Sequence, residues 1–300
     1  MKQYIFQFMV FAFFPVHPAK AQQFSQLDSL KDHAVKVYYS AGHQQRTAAI
    51  AKRVDNAMVY YTGMMGFKPS VTLLVLSAAD WSKYTSLAVY GMPHYKGDKT
   101  LVVAAEDNAF WKSFIPPVEQ LPKEMRKQVE AVYRDKDGNL TMQPFFDLLA
   151  IHELGHAFHL QGGLTMQRKW MGELFVNILL HTYIAENEPE VLPALTIFPQ
   201  MVIAGGSAAF KYTSLNDVHE RYAEIGQQYP KNYGWYQCRW HAAAAVIYNT
   251  GGKLVGRKLW DALKSQKEIL SDEQLAAFLE TAADKTVADV MRNWDRNTIK

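Results

Sequence analysis

Hydrophobic and polar positions along this 300-residue chain change their period part-way. Ala34-Val35-Lys36-Val37-Tyr38-Tyr39 alternates in part, as a half-buried strand does. From Gln44 to Met64 the period turns helical, with Ala48, Ile50, Ala51, Val54, Ala57, Met58 and Tyr61 at core spacing, until Gly66-Phe67-Lys68-Pro69 breaks it. Residues 71–76 and 100–104 are β-branched and leucine runs of buried-strand length, and Tyr90-Gly91-Met92-Pro93 between them reads as a loop. After residue 120 strand signals fade and helical patterns continue to the end. Asp135-Lys136-Asp137-Gly138-Asn139 is a plain turn, since a calcium loop needs a later Gly and a closing Glu. The expected fold class is α+β: an N-terminal lobe over residues 22–140 with a small mixed sheet, then a mainly helical lobe over residues 141–300.

One helical segment carries unusual chemistry. Pro144 suits a helix start, and Phe145, Phe146, Leu148, Leu149, Ile151, Leu154, Ala157 and Phe158 give a surface too broadly apolar for an exposed helix. Gly162-Gly163 offers a stop. Within it stands His152-Glu153-Leu154-Gly155-His156. Four positions apart on a helix, both imidazoles project from one face, where they can grip one divalent ion, usually zinc, with Glu153 beside it as general base. Burying two histidines and a glutamate without partners is costly, and a cation supplies the partner.

A catalytic zinc takes three protein ligands and keeps a position open. A metzincin would need Gly at 159 and His at 162, where this chain has His159 and Gly162, so that class is excluded. Downstream, Trp170-Met171-Gly172-Glu173-Leu174-Phe175-Val176-Asn177 opens a second apolar helix. Here the chain resembles the gluzincin zinc metallopeptidases, in particular the thermolysin-like and M1 aminopeptidase-like groups. The resemblance implies a zincin-like active-site helix at the junction of the two lobes and Glu173 as third ligand. It also implies that Asn177 supports a ligand imidazole, its amide carbonyl fixing the tautomer where thermolysin-like enzymes use a carboxylate. His159, His181, Glu186 and Glu188 are rival ligands, with His159 read as a supporting or surface residue.

Gluzincins of the aminopeptidase-like group carry a Tyr before a helix with a Gly turn fifteen residues on. Tyr236, followed by Gly251-Gly252, fits that spacing, with Arg239 where a Gly is usual. The implied role is a phenol donating to the oxyanion, with Tyr233 as the alternative. Gluzincins hold extended substrates on a sheet edge, for which the run 100–105 is the candidate. Ala104-Ala105-Glu106-Asp107-Asn108 is only a loose echo of the aminopeptidase amine clamp, so Glu106 reads as a loop carboxylate.

Lys2, the apolar run 4–14 and Ala19-Lys20-Ala21 form a secretory signal peptide, residues 1–21, too short to anchor in a bilayer. Without Lys2 and Lys20 the chain keeps 30 basic and 29 acidic residues, which gives no electrostatic case for nucleic acid or acidic membranes. The single Cys238 forms no internal disulfide and reads as a buried thiol. The expected protein is a secreted or periplasmic zinc metallopeptidase acting on peptide or protein substrates. The alternative is a non-catalytic, zinc-containing peptide-binding envelope protein.

Overall fold

A computed structural model of the chain describes residues 24–97, 99–115 and 117–296. The expected signal peptide, residues 1–21, lies outside the described residues.

The fold is α+β, with a five-stranded mixed sheet and thirteen α-helices among the described residues. Strands β1 (Asp28–Leu30), β2 (Lys36–Tyr39), β3 (Thr72–Leu76), β4 (His94–Lys96) and β5 (Thr100–Ala104) line up in the order β1-β2-β3-β5-β4. β2, β3 and β5 run parallel, while β1 and β4 close the two edges antiparallel. The parallel centre explains the composition: β3 and β5 are nearly or wholly buried, so they read as continuous apolar runs. β1 and β4 have three residues each, too short to show a period.

Between strands come α1 (Gln44–Met65), which crosses from β2 to β3, and α2 (Ala78–Tyr84). The short α3 (Ala109–Lys112), α4 (Lys123–Tyr133) and the single turn α5 (Gln143–Phe146) follow. Gly66, at φ 63°, ends α1 by donating its N–H to Thr62 O. Pro144 opens α5 and not the helix that follows, because residues 147–148 interrupt the run before α6 (Leu149–Gln161) begins. The turn at 135–139 is a hairpin turn, with Asp135 Oδ1 accepting the backbone N–H groups of Asp137 and Asn139.

The helical part continues with α7 (Lys169–Asn187), α8 (Leu192–Ala204), α9 (Leu215–Gln228), α10 (Pro230–Gly251), α11 (Val255–Ser265), α12 (Asp272–Ala282) and α13 (Lys285–Asn293). Residues 170–184 of α7 are buried on every side, which makes it the central helix, with α6, α9, α10 and α11 packed around it. One contiguous apolar core runs from Phe24 to Trp294 through sheet and helices alike. α6 packs on α1, α5, α7, β4 and β5. Its entry is tied down where Arg46 of α1 forks onto Asp147, at 3.0 and 2.5 Å.

Candidate metal centre

α7 and α10 are apolar helices, yet each carries buried or half-buried polar groups at i, i+4, i+8. On α7 these are Glu173, Asn177 and His181; on α10 they are Tyr233, Gln237 and His241. Such spacing puts each set on one helix face. The two stripes meet: Asn177 Nδ2 donates to Gln237 Oε1 at 3.3 Å, and Gln237 Nε2 donates to Glu173 Oε2 at 2.7 Å. α6 contributes the third face, with His152, Glu153 and His156.

Three atoms converge there. His152 Nε2 and His156 Nε2 are 3.2 Å apart, and Glu173 Oε2 lies 3.2 Å from the first and 3.5 Å from the second. The outer nitrogens are already engaged: His152 Nδ1 meets Asn177 Oδ1 at 3.1 Å, and His156 Nδ1 meets His159 Nε2 at 2.9 Å. Asn177 Oδ1 can only accept, so His152 carries its proton on Nδ1 and turns the Nε2 lone pair inward. Burial pushes His159 down to about 3, and the adjacent His156 adds to that, so His159 is neutral and can accept from His156 Nδ1.

Two imidazole nitrogens and a carboxylate oxygen facing one another at this range form a donor set that could hold a cation between them. Metal–nitrogen bonds of about 2.0–2.1 Å in a tetrahedron place ligand atoms about 3.3–3.4 Å apart. The observed edges of 3.2, 3.2 and 3.5 Å match that spacing. His152, Glu153 and His156 likewise offer ligand atoms within 4.8 Å of one another, so this cluster could hold a metal ion. Glu153 is 7% exposed, and no described hydrogen bond ties its carboxylate. The electrostatics agree with a cation site. Burial alone would raise the Glu173 carboxyl, yet the His156 and His152 imidazoles hold it well below the usual range. Burial would lower His156, yet Glu173 and then Glu153 raise it to about 9.

Glu173 has further support. Tyr222 of α9 donates its hydroxyl to Glu173 Oε1. Tyr233 lies 3.0 Å from the Tyr222 oxygen and 2.8 Å from Gln237 Nε2, and burial together with the Glu173 charge pushes its phenol well above the ordinary range. Gly155 lets the helices approach: a Cβ there would come within 2.9 Å of Val176 Cβ and Cγ1. Only a residue without a side chain lets α7 pass close enough for Glu173 to reach the imidazoles.

Two expectations are corrected. Tyr236 is not brought to the metal cluster: it is fully buried, its hydroxyl donates to Ser214 O at 2.8 Å, and its ring stacks on Trp240 and Trp294. Helical geometry explains this, because Tyr236 is three positions from Tyr233 but one from Gln237, off the stripe that faces Glu173. The run 100–105 is not the sheet edge either. β5 sits between β3 and β4 with all five residues buried, and β4 closes that side.

Of the rival ligands, His159 stands behind His156 and the other three lie elsewhere. His181 is buried two turns beyond Glu173, Glu186 accepts from Tyr248 and Lys253, and Glu188 pairs with Arg53. Glu106 accepts weakly from Ala78 N and Tyr90, both at 3.4 Å. Arg239 lies buried over the Trp294 ring at 3.8 Å, and Cys238 is a buried free thiol raised by burial. Sequence reasoning missed Tyr222, Gln237 and His241. The last two were visible as polar positions at period four in an apolar helix; Tyr222 had no such signal.

No protein-family profile and no solved structure matches the chain. Among curated proteins it is similar to the ketol-acid reductoisomerase (NADP(+)) of Blochmanniella pennsylvanica (strain BPEN), 26% identical over 165 residues, 51% of this chain. That stretch spans 31% of the reductoisomerase.

Proposed function

We propose that this chain is a secreted zinc metallopeptidase of gluzincin type, with His152, His156 and Glu173 holding the ion and Glu153 acting as general base. The observation that carries the reading is the triangle of His152 Nε2, His156 Nε2 and Glu173 Oε2, with edges of 3.2–3.5 Å, beside an untied buried carboxylate. A nitrogen–nitrogen–oxygen donor set suits zinc among divalent ions. When bound, zinc supplies Lewis-acid polarisation and lowers the pKa of a water at its open position.

The protein groups then divide the work. Glu153 accepts the proton of the attacking water and delivers it to the leaving nitrogen, so a buried carboxylate free of hydrogen-bonded partners is what the step needs. Asn177 and His159 hold the two imidazoles in the tautomer that turns Nε2 inward. Tyr233 takes the role first expected of Tyr236: its phenol is kept protonated, and the proton it gives to Tyr222 in the free protein would turn to the oxyanion of the tetrahedral intermediate once substrate is bound. β4, the edge strand against which α6 packs, takes the role first expected of residues 100–105, pairing with an extended peptide. α6 thus serves as a zincin-like helix at the junction of the sheet and the helical lobe.

The reductoisomerase likeness brings no phosphate-cradling fingerprint with it, since no Gly-x-Gly-x-x-Gly stands in the sequence. The secreted part of this reading rests on the signal peptide expected over residues 1–21. Among the described residues no helix is long and apolar enough to cross a membrane.

Metal analysis tests the ligand assignment. Purified protein should carry one zinc per chain, Glu153→Gln should keep it, and His156→Ala should lose it. Stoichiometric zinc in His156→Ala would contradict the assignment.

A further inference from the structure

The two oxygens of Glu173 have different neighbours. Oε2 faces both imidazoles, at 3.2 and 3.5 Å, and accepts from Gln237 Nε2 at 2.7 Å. Oε1 accepts from the Tyr222 hydroxyl. A carboxylate can ligate through one oxygen or both, and the choice decides how many coordination positions remain open.

Tyr222 reaches Glu173 through a break in its own helix. Inside α9, Arg221 leaves helical geometry at φ −115°, ψ 24°, and Tyr222 is the next residue. A break of this kind re-aims the side chains that follow it. The proton count then fixes every direction in the cluster. A phenol has one proton, and Tyr222 gives its own to Glu173, so at its 3.0 Å contact with Tyr233 it must accept. Tyr233 in turn accepts from Gln237, whose second N–H goes to Glu173 Oε2. Oε1 thus ends a directed chain, with a proton on the side from which a cation would otherwise approach it.

We propose that Tyr222 is a positioning residue that restricts Glu173 to one-oxygen ligation and so keeps a coordination position free for substrate. The inference rests on the metal-site reading above but not on peptide hydrolysis. Gln237 donates to the inner oxygen and leaves Oε1 untouched, so the two donors should behave differently.

Cobalt(II) in place of zinc reads this directly, because its visible absorption falls several-fold when coordination rises from four to five. Tyr222→Phe should retain one cobalt per chain and lose several-fold in visible intensity, whereas Gln237→Leu should keep the intensity of the parent. An unchanged spectrum in Tyr222→Phe overturns the proposal, as does an equal drop in both variants. X-ray absorption of the zinc-loaded parent does not depend on any variant folding: one short carboxylate oxygen supports the proposal, and two overturn it. Failure of the parent to bind cobalt or zinc at all overturns the metal-site reading and this inference together. The spectral asymmetry in a protein that cleaves no peptide supports the positioning role and removes only the peptidase.

Discussion

Gly155→Ala offers the sharpest test of how packing sets up the metal centre. The new Cβ would lie 2.9 Å from both Val176 Cβ and Cγ1. Carbon contacts are favourable at about 3.5–4.0 Å, so α6 and α7 must separate locally by about 0.6–1 Å. Overpacking of this kind costs about 1–3 kcal/mol. The better helix propensity of Ala returns about 1 kcal/mol, which leaves a net loss of about 0–2 kcal/mol. The effect on the site should be larger than on the fold. Gly155 adjoins His156, and Val176 is three residues past Glu173, so the separation opens the edges at 3.2 and 3.5 Å. Metal sites hold their distances to within about 0.2 Å, well below that shift. We expect metal affinity to fall about 10–100-fold, the usual effect of losing a supporting contact. Competition against a chromogenic chelator measures the affinity, and a thermal melt of the metal-free protein measures the fold. Affinity within twofold of the parent would refute the view that this glycine sets the ligand spacing.

Further expectations concern single groups. Glu153→Gln should keep stoichiometric metal and lose turnover by at least about 100-fold, as removal of a general base does, measured on any cleaved peptide. Tyr233→Phe should lower kcat about 100-fold with zinc retained, while Tyr236→Phe should leave kcat unchanged and cost about 1 kcal/mol for its hydrogen bond to Ser214. The reverse ranking of these two tyrosines in steady-state kinetics would restore Tyr236 to the site. His181 sets a pH dependence of stability, because burial pushes it from 6.5 down to about 4. Its folded form is the weaker proton binder, so stability is unaffected above about pH 6.5 and falls as pH drops from there to about 4. The loss amounts to about 3 kcal/mol at about 1.4 kcal/mol per unit. Urea midpoints across that range should show the slope, and His181→Phe should flatten it; an equal slope in both proteins would place its origin elsewhere.

Much of this architecture was legible in the residues. The length and β-branched content of residues 100–104 gave β5 to the residue, and apolar spacing gave α1 to within one residue. β1 and β4 escaped because three residues at a sheet edge show neither alternation nor an apolar run. That omission misplaced the edge: without β4, β5 looks like the last strand. At the site, His152, Glu153 and His156 stood out because charged groups in an apolar helix need partners, whereas Glu173 came from the resemblance to the gluzincins. The tyrosine failed for a different reason. Family spacing pointed to Tyr236, whereas the stripe Tyr233, Gln237, His241 facing Glu173, Asn177, His181 pointed to Tyr233. Tyr222 reaches Glu173 from just past the break of α9 at Arg221, which no periodicity announces.

Incubation of residues 22–300 with a diverse peptide mixture, read by mass spectrometry beside Glu153→Gln, tests the central claim most directly. The parent should cleave peptides, with cleavage abolished in Glu153→Gln and by a zinc chelator, and restored by added zinc. No cleavage by a parent carrying one zinc per chain, or equal cleavage by Glu153→Gln, would contradict it.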